Sequence, residues 1–302
     1  MSDAKNYVFL VLANVFWAGN FVVGGLLADS VDPLFLTTVR WAIATLPLFV
    51  LAHLMERPHW PDVFREWPRL LVLAVLGLIG YGFLTYLALS FTDSTSASLL
   101  NAVSPALIAV GAVLISRERL RRTAILGLAV SLLGVVLVLV RLGDGFSLAF
   151  GTGELIMTAA VLTWVTYTVA GRTVRSPVVS ATAVQSLIAT AVLVPVALVV
   201  APPLPAAAQN WWGILFIAVF PSVLSYLMWN VGIRGIGAAR GGVFLNLLPF
   251  FAAIAGLFVG QPITVMQVVG GVVIVLGVVM VSRPRRTPRY TSRNPAAEAP
   301  ST

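Results

Sequence analysis

ASLLNAVSPALIAVGAVL, residues 97–114, and GGVFLNLLPFFAAIAGLF, residues 241–258, are two versions of one pattern. Each is an apolar run in which an Asn is followed within four residues by a Pro: Asn101 and Pro105, then Asn246 and Pro249. The two prolines lie 144 residues apart, and the correspondence extends in both directions. Asp32-Pro33 is answered by Ser176-Pro177 at the same offset, the Gly127 and Gly134 pair by Gly270 and Gly277 at 143, and Trp17 by Trp164 at 147. Four landmarks in the same order make the chain an internal repeat. Repeats of inverted topology, with a substrate site between them near the bilayer midplane, are a recurrent plan of secondary transporters.

Composition sets the solvent. Of 302 residues, 59% are hydrophobic and 10% charged, with a mean hydropathy of +0.97. Such a chain is dissolved in lipid rather than water. A hydrocarbon core about 30 Å thick is crossed by about 20 apolar helical residues. Stretches of that kind run from 6 to 27, 34 to 54, 69 to 90, 95 to 115, 122 to 140, 153 to 171, 178 to 200, 212 to 233, 239 to 260 and 264 to 282. The runs are unbroken, without the alternation over about ten residues that marks a barrel strand. The expectation is an all-α integral membrane protein of ten transmembrane helices, arranged as two inverted five-helix repeats around a central cavity. The first repeat covers 1–144, the second 145–282, and a disordered basic tail 283–302.

Ten spans place both termini on one side. With that side cytoplasmic, 17 of the 19 basic residues fall inside, among them Arg117, Arg119, Arg121, Arg122, Arg172, Arg175 and the tail arginines from Arg283; the positive-inside rule selects this orientation. Loop charges also show the inversion. Asp29 and Asp32 follow the first span without a base, whereas the corresponding second-half loop carries Arg172 and Arg175. The net charge of +8 then reports orientation toward anionic headgroups, not nucleic acid. The first span belongs to the repeat and reads as a retained helix rather than a cleaved signal. With no cysteine, disulfides and thiolate metal sites are excluded. His53 and His59 sit at one end of the second span, which fits a headgroup-facing role better than metal ligation. No metal, no cofactor and no enzymatic constellation of nucleophile, acid and base is expected.

An ionisable residue inside a span is costly and usually functional. Arg40 alone qualifies, with Glu154 at the mouth of the sixth span. The favoured expectation for Arg40 is structural: reaching to the interface or pairing with Asp29 or Asp32, with neutralisation of a substrate carboxylate as the functional alternative. The spans also carry Trp17, Asn20, Tyr81, Tyr86, Asn101, Trp164, Tyr167, Tyr226, Trp229 and Asn246, while Trp60, Trp67, Trp211 and Trp212 suit the interfacial belts. An aromatic residue in a span either packs or lines a cavity, and an Asn either ties helices together or lines a pocket. Pro105 and Pro249 deprive the carbonyls of Asn101 and Leu245 of a helical donor, so bends that serve either packing or gating are expected there.

Trp17-Ala18-Gly19-Asn20-Phe21, the stretch from Tyr86 to Pro105 with its small residues Ser94 to Ser98, Glu118 after the fourth span and the glycine-spaced fifth span resemble the drug/metabolite transporter superfamily. Over residues 6 to 282 the pattern is similar to its ten-helix members built of two EamA repeats, and most of all to bacterial exporters of aromatic and other neutral amino acids. The resemblance implies a basket of helices whose first, third, fourth, sixth, eighth and ninth members line the substrate path. On those helices Trp17, Asn20, Tyr86, Asn101, Trp164, Tyr167, Tyr226 and Asn246 become substrate-binding candidates, and Pro105 and Pro249 hinges. Two departures stand out: Pro262 occupies a place where the family often carries Glu, and the first span lacks the Glu of the four-helix proton-coupled members. The implied activity is export of small amphipathic metabolites through the bacterial inner membrane by alternating access, without a carboxylate proton relay. Carriage of nucleotide sugars, purines or drugs is the alternative. The partners are a small-molecule substrate and the bilayer; oligomeric state is left open by the sequence, and a monomer is compatible with it.

Overall fold

The computed structural model describes residues 3–92, 97, 100–114, 122–139, 151–259 and 265–282. The basic loop at 117–121, Glu118 with it, Arg141, Pro262 and the tail from 283 onward lie outside the described residues. All described elements are helical: α1 Asp3–Leu27, α2 Pro33–Met55, α3 Trp67–Leu89, α4 Ser104–Leu114, α5 Arg122–Leu139, α6 Thr152–Ala170, α7 Val178–Val200, α8 Ala208–Ile236, α9 Ala238–Gly256 and α10 Val265–Ser282, with a short helix Trp60–Arg65 before α3. Seven of these are long and apolar enough to cross a bilayer, and α4, α5 and α10 are shorter apolar helices.

Local chemistry sets the ends. Asp32 caps α2 by accepting from the N–H groups of Leu34 (2.8 Å) and Phe35 (3.0 Å), with Pro33 in the first turn, where its missing donor costs nothing. Gly237, at φ 93°, separates α8 from α9 in a conformation that side chains rarely adopt. Inside α3 and α8 lie two π-helical segments, Ala74–Gly80 and Phe220–Ser225, at matching places in the two halves.

Packing follows the repeat. Helix α1 lies against α8 and α9, and α6 reciprocally against α3 and α4. α2 pairs with its counterpart α7, where the hydroxyls of Thr45 and Thr190 meet at 3.1 Å. α5 and α10 run antiparallel in close contact: a Cβ on Gly127 would come within 2.7 Å of the Gly277 carbonyl, and one on Gly134 within 2.7 Å of that of Gly270. Lipid is as apolar as leucine, so helices in a bilayer associate through close packing of small residues rather than through exclusion from water. The Gly pairs that reveal the repeat in sequence are thus the residues that meet across its pseudo-two-fold axis.

One face of the bundle gathers the described arginines of the connections and is sewn together by two carboxylates. Glu56, at the end of α2, accepts from the N–H groups of Val179 (2.9 Å) and Ser180 (2.8 Å) and the Ser180 hydroxyl (2.6 Å), capping α7 from the other half. Glu66 accepts from Ser176 N–H (3.0 Å), its hydroxyl (2.7 Å) and Arg175 N–H (3.2 Å). Burial pushes the Glu66 carboxyl up, but these hydrogen bonds and nearby Arg69 outweigh it and hold it below the ordinary carboxylate range.

Two outcomes are expected. Gly277→Val forces α10 from α5 and should cost about 3 kcal/mol, the upper end for overpacking, read as a fall in the melting temperature of detergent-purified protein. For Glu66, a carboxyl with a lowered folded-state pKa stabilises above its ordinary value of 4.5 and ceases to do so as pH falls through the lower folded value. Glu66→Gln should therefore lose on the order of 1 kcal/mol at pH 7, with the gap to wild type closing on acidification below 4.5; a gap that persists in acid would contradict the assignment.

Candidate substrate site

Seven aromatic side chains from five helices fill the central space. Trp17 of α1 meets Trp164 of α6 at 5.1 Å, edge to face, and also Tyr226 (5.8 Å) and Trp229 (5.3 Å) of α8. Trp164 stacks on Tyr167 at 5.3 Å and lies 4.8 Å from Tyr81 of α3; Trp41, on α2, adds an edge-to-face contact with Tyr226 at 5.0 Å. The repeat mates Trp17 and Trp164 are thus brought into direct contact.

Polar atoms inside this cluster divide into satisfied and unsatisfied ones. The π-helical turns turn three carbonyls toward ring donors. Tyr226 OH donates to Gly77 O (2.5 Å), Trp41 Nε1 to Leu78 O (3.0 Å) and Trp17 Nε1 to Pro221 O (3.2 Å). Interruptions of this kind are frequent at functional sites. The indole N–H groups of Trp164 and Trp229 are buried with no partner among the described residues. An unmade buried hydrogen bond costs about 1–3 kcal/mol, so two orphan indole donors on rings 5.7 Å apart are a standing cost that a bound acceptor would remove.

A polar network adjoins the rings. Arg40 is 4% exposed. Its Nη1 donates to Tyr86 OH (2.7 Å) and its Nε to Ser222 Oγ (2.8 Å), and Tyr86 OH donates to Asn20 Oδ1 (2.7 Å). The guanidinium also lies over the rings of Trp41 (5.0 Å) and Tyr86 (5.7 Å). This corrects the expectation of a snorkelling or Asp-paired arginine: Arg40 turns into the bundle, where hydroxyls and ring faces receive it, and Asp32 is used as the α2 cap.

On the basic-face side of the rings lies a counterpart. Tyr167 OH and Asn230 are hydrogen-bonded (2.8 Å from Asn230 Nδ2), and Asn230 donates to Thr182 Oγ1 at 3.1 Å. They line a cleft of about 30 Å³ together with Gln185 and Arg234, room for a water molecule or two. Arg40 and Gln185 stand 145 residues apart, as do Thr37 and Thr182.

Among the residues singled out from sequence, Trp17, Trp164, Tyr167 and Tyr226 share the ring cluster. Asn20 and Tyr86 sit in the Arg40 network, and Asn101 joins through a long contact from Tyr81 OH (3.4 Å). Asn246 instead donates to Ser131 of α5 at 2.7 Å, tying α9 to α5. Pro105 and Pro249 do not kink continuous helices. Residues 102–103 form a turn and Val243–Asn246 a 3₁₀ segment, so each Pro falls in the first turn of a new helical piece, where its lack of N–H is tolerated. Sequence reasoning passed over Trp41, Ser222 and Asn230, and left Tyr81 and Trp229 unselected; the 145-residue spacing of Tyr81 and Tyr226 was the available signal.

The EamA-like transporter family model matches residues 4–140 and again 151–283. The chain belongs to the EamA-like transporter family. It is a multi-pass membrane transporter of a small molecule, not an enzyme. It is 28% identical over 304 residues to the uncharacterized transporter YyaM of Bacillus subtilis, covering 98% of this chain and all of that one. It is 25% identical over 228 residues to the aromatic amino acid exporter YddG of Ancylobacter novellus, covering 74% and 77% of the two chains. A crystal structure aligns with a TM-score of 0.78 at 22% identity over 93% of this chain and 98% of the other, a likeness of fold.

If the orphan indoles serve the substrate, Trp164→Phe should leave stability within about 1 kcal/mol, because lost packing is offset by removal of an unsatisfied donor. Substrate affinity should fall roughly tenfold, the equivalent of one hydrogen bond. Parallel melting curves and saturation transport measurements check this pair of outcomes.

Proposed function

We propose that this EamA-family transporter exports small amphipathic metabolites, aromatic and other neutral amino acids foremost, across the bacterial inner membrane. The observation that carries the reading is the ring cluster with two unpartnered indole donors beside a buried arginine network. Its aromatic walls suit an apolar side chain, and the donors suit a polar head. Trp17, Trp164, Tyr167 and Tyr226 supply the walls; Asn20, Tyr86 and Asn101 supply polar contacts at their edge. The name of the Ancylobacter relative, an aromatic amino acid exporter, supports the substrate class. In this reading, repeats 1–144 and 145–282 rock against each other about the ring cluster, using the breaks before Pro105 and Pro249 as hinges. The termini and basic face are cytoplasmic, following the distribution of arginine. No span carries an acid near its middle, so transport runs down the substrate gradient without a carboxylate proton relay.

The expected outcome in proteoliposomes preloaded with unlabelled substrate is saturable counterflow of labelled tryptophan or phenylalanine that does not respond to an imposed pH gradient. Steep dependence on that gradient would reveal coupling through another titrating group. Absence of counterflow for any neutral amino acid would transfer the assignment to nucleotide sugars, purines or drugs.

A further inference from the structure

We infer that Arg40 is the anion-recognising group of the substrate site, so that the molecule carried must present a free carboxylate on an apolar or aromatic body and need not carry an amine. The inference rests on the proposed placement of the site at the ring cluster.

Three observations converge. First, Arg40 is a nearly buried cation with no ion-pair partner: the ion pairs among the described residues all involve His59, Asp62, Arg65, Glu66 and Arg69 at the basic face. A buried charge without a counter-ion is expensive, and two hydroxyls with two ring faces meet that need only in part. Second, of the five donors of a guanidinium, Nε and one on Nη1 are engaged, by Ser222 and Tyr86. The rest remain for a planar acceptor, and carboxylate is the group whose geometry that fork matches. Third, the fold does not require the cation. The corresponding position of the second repeat is Gln185, buried in the same way on the paired helix α7. One half therefore carries a charge that the other half does without.

The amine is dispensable because, among the described residues, the site holds no acid. Asp32 is engaged as a helix cap, and Glu154 is held at the end of α6 by the hydroxyl of Thr92 and by Gly151 N–H. Among the ring residues and the Arg40 network no carboxylate is available to an ammonium. The same charge pattern disfavours compounds that are cationic overall.

The test compares four compounds with one aromatic body: 3-phenylpropanoate, phenylalanine, phenylalaninamide and phenethylamine. Melting of the detergent-purified full chain is followed at fixed pH and ionic strength. The two carboxylates should raise the melting temperature with saturation, whereas the amide and the amine should not. Arg40→Gln should weaken the carboxylate effect at least tenfold in half-saturating concentration. Tyr86→Phe, which keeps the guanidinium, should preserve the preference for the acids. If Arg40→Gln does not fold, Arg40→Lys replaces it, and the wild-type ranking alone still decides. Stabilisation by amide or amine equal to that of the acids overturns the inference, as does failure of both acids, or an unaltered response in Arg40→Gln. Arg40-dependent binding of the acids without counterflow of any amino acid would instead retain the carboxylate rule and reject amino acids as the cargo.

Discussion

The hydrogen bond from Tyr226 to the carbonyl of Gly77, at 2.5 Å, crosses from the second half of the chain to the first at the centre of the bundle, and much of the architecture serves it. It requires a π-helical turn in α3 that presents that carbonyl. It also requires a glycine there, since the Tyr167 ring lies where a Cβ would stand. In hydrocarbon no water waits to satisfy a displaced backbone group, so an irregular turn persists only where protein donors meet it. Tyr226, Trp41 and Trp17 are those donors, and their rings make the cluster. Helix irregularity and aromatic packing are therefore two sides of one arrangement.

Duplication supplies the pieces and divergence supplies the function. Inverted repeats bring equivalent positions together, Trp17 to Trp164 and Thr45 to Thr190, and cross the equivalent glycine pairs so that Gly127 meets Gly277 and Gly134 meets Gly270. Where the two copies are alike, the contacts are structural, as in the glycine seam of α5 and α10. Where they differ, the chemistry becomes specific. Trp17 has a carbonyl for its indole N–H, and Trp164 has none among the described residues. Arg40 in one half faces Tyr86 and Ser222, while Gln185 in the other lines a small cleft with Asn230 and Thr182. The proposed site on the pseudo-symmetry axis thus acquires an orientation, as the proposed substrate with distinct head and body requires.

The two surface carboxylates show a different use of the same principle. Glu56 and Glu66 each satisfy backbone donors of the opposite half, so charge is spent on joining the repeats at the basic face rather than on the interior. The carboxylates remain outside the apolar region, and among the described residues Arg40 is left as the cation that the interior holds.

The sequence by itself determined the class, the ten apolar stretches and the repeat, because each is written in local composition and in offsets that survive reading along one dimension. Apolar length measures the bilayer, and the spacing of Pro, Gly and Trp measures the duplication. It also brought forward seven of the residues now found in or beside the ring cluster, since Trp, Tyr and Asn are conspicuous in a lipid-dissolved helix. The tertiary structure alone decided which of these share a space. Asn101 and Asn246 are equivalent in sequence, yet the first reaches Tyr81 and the second binds Ser131. Arg40 had two outlets along its helix, toward the interface or toward the core, and only the presence of Tyr86 and Ser222 from other helices selects the core. Periodicity records which residues are apolar. Which buried donor lacks an acceptor depends on atoms brought from distant parts of the chain, and that is a property of packing.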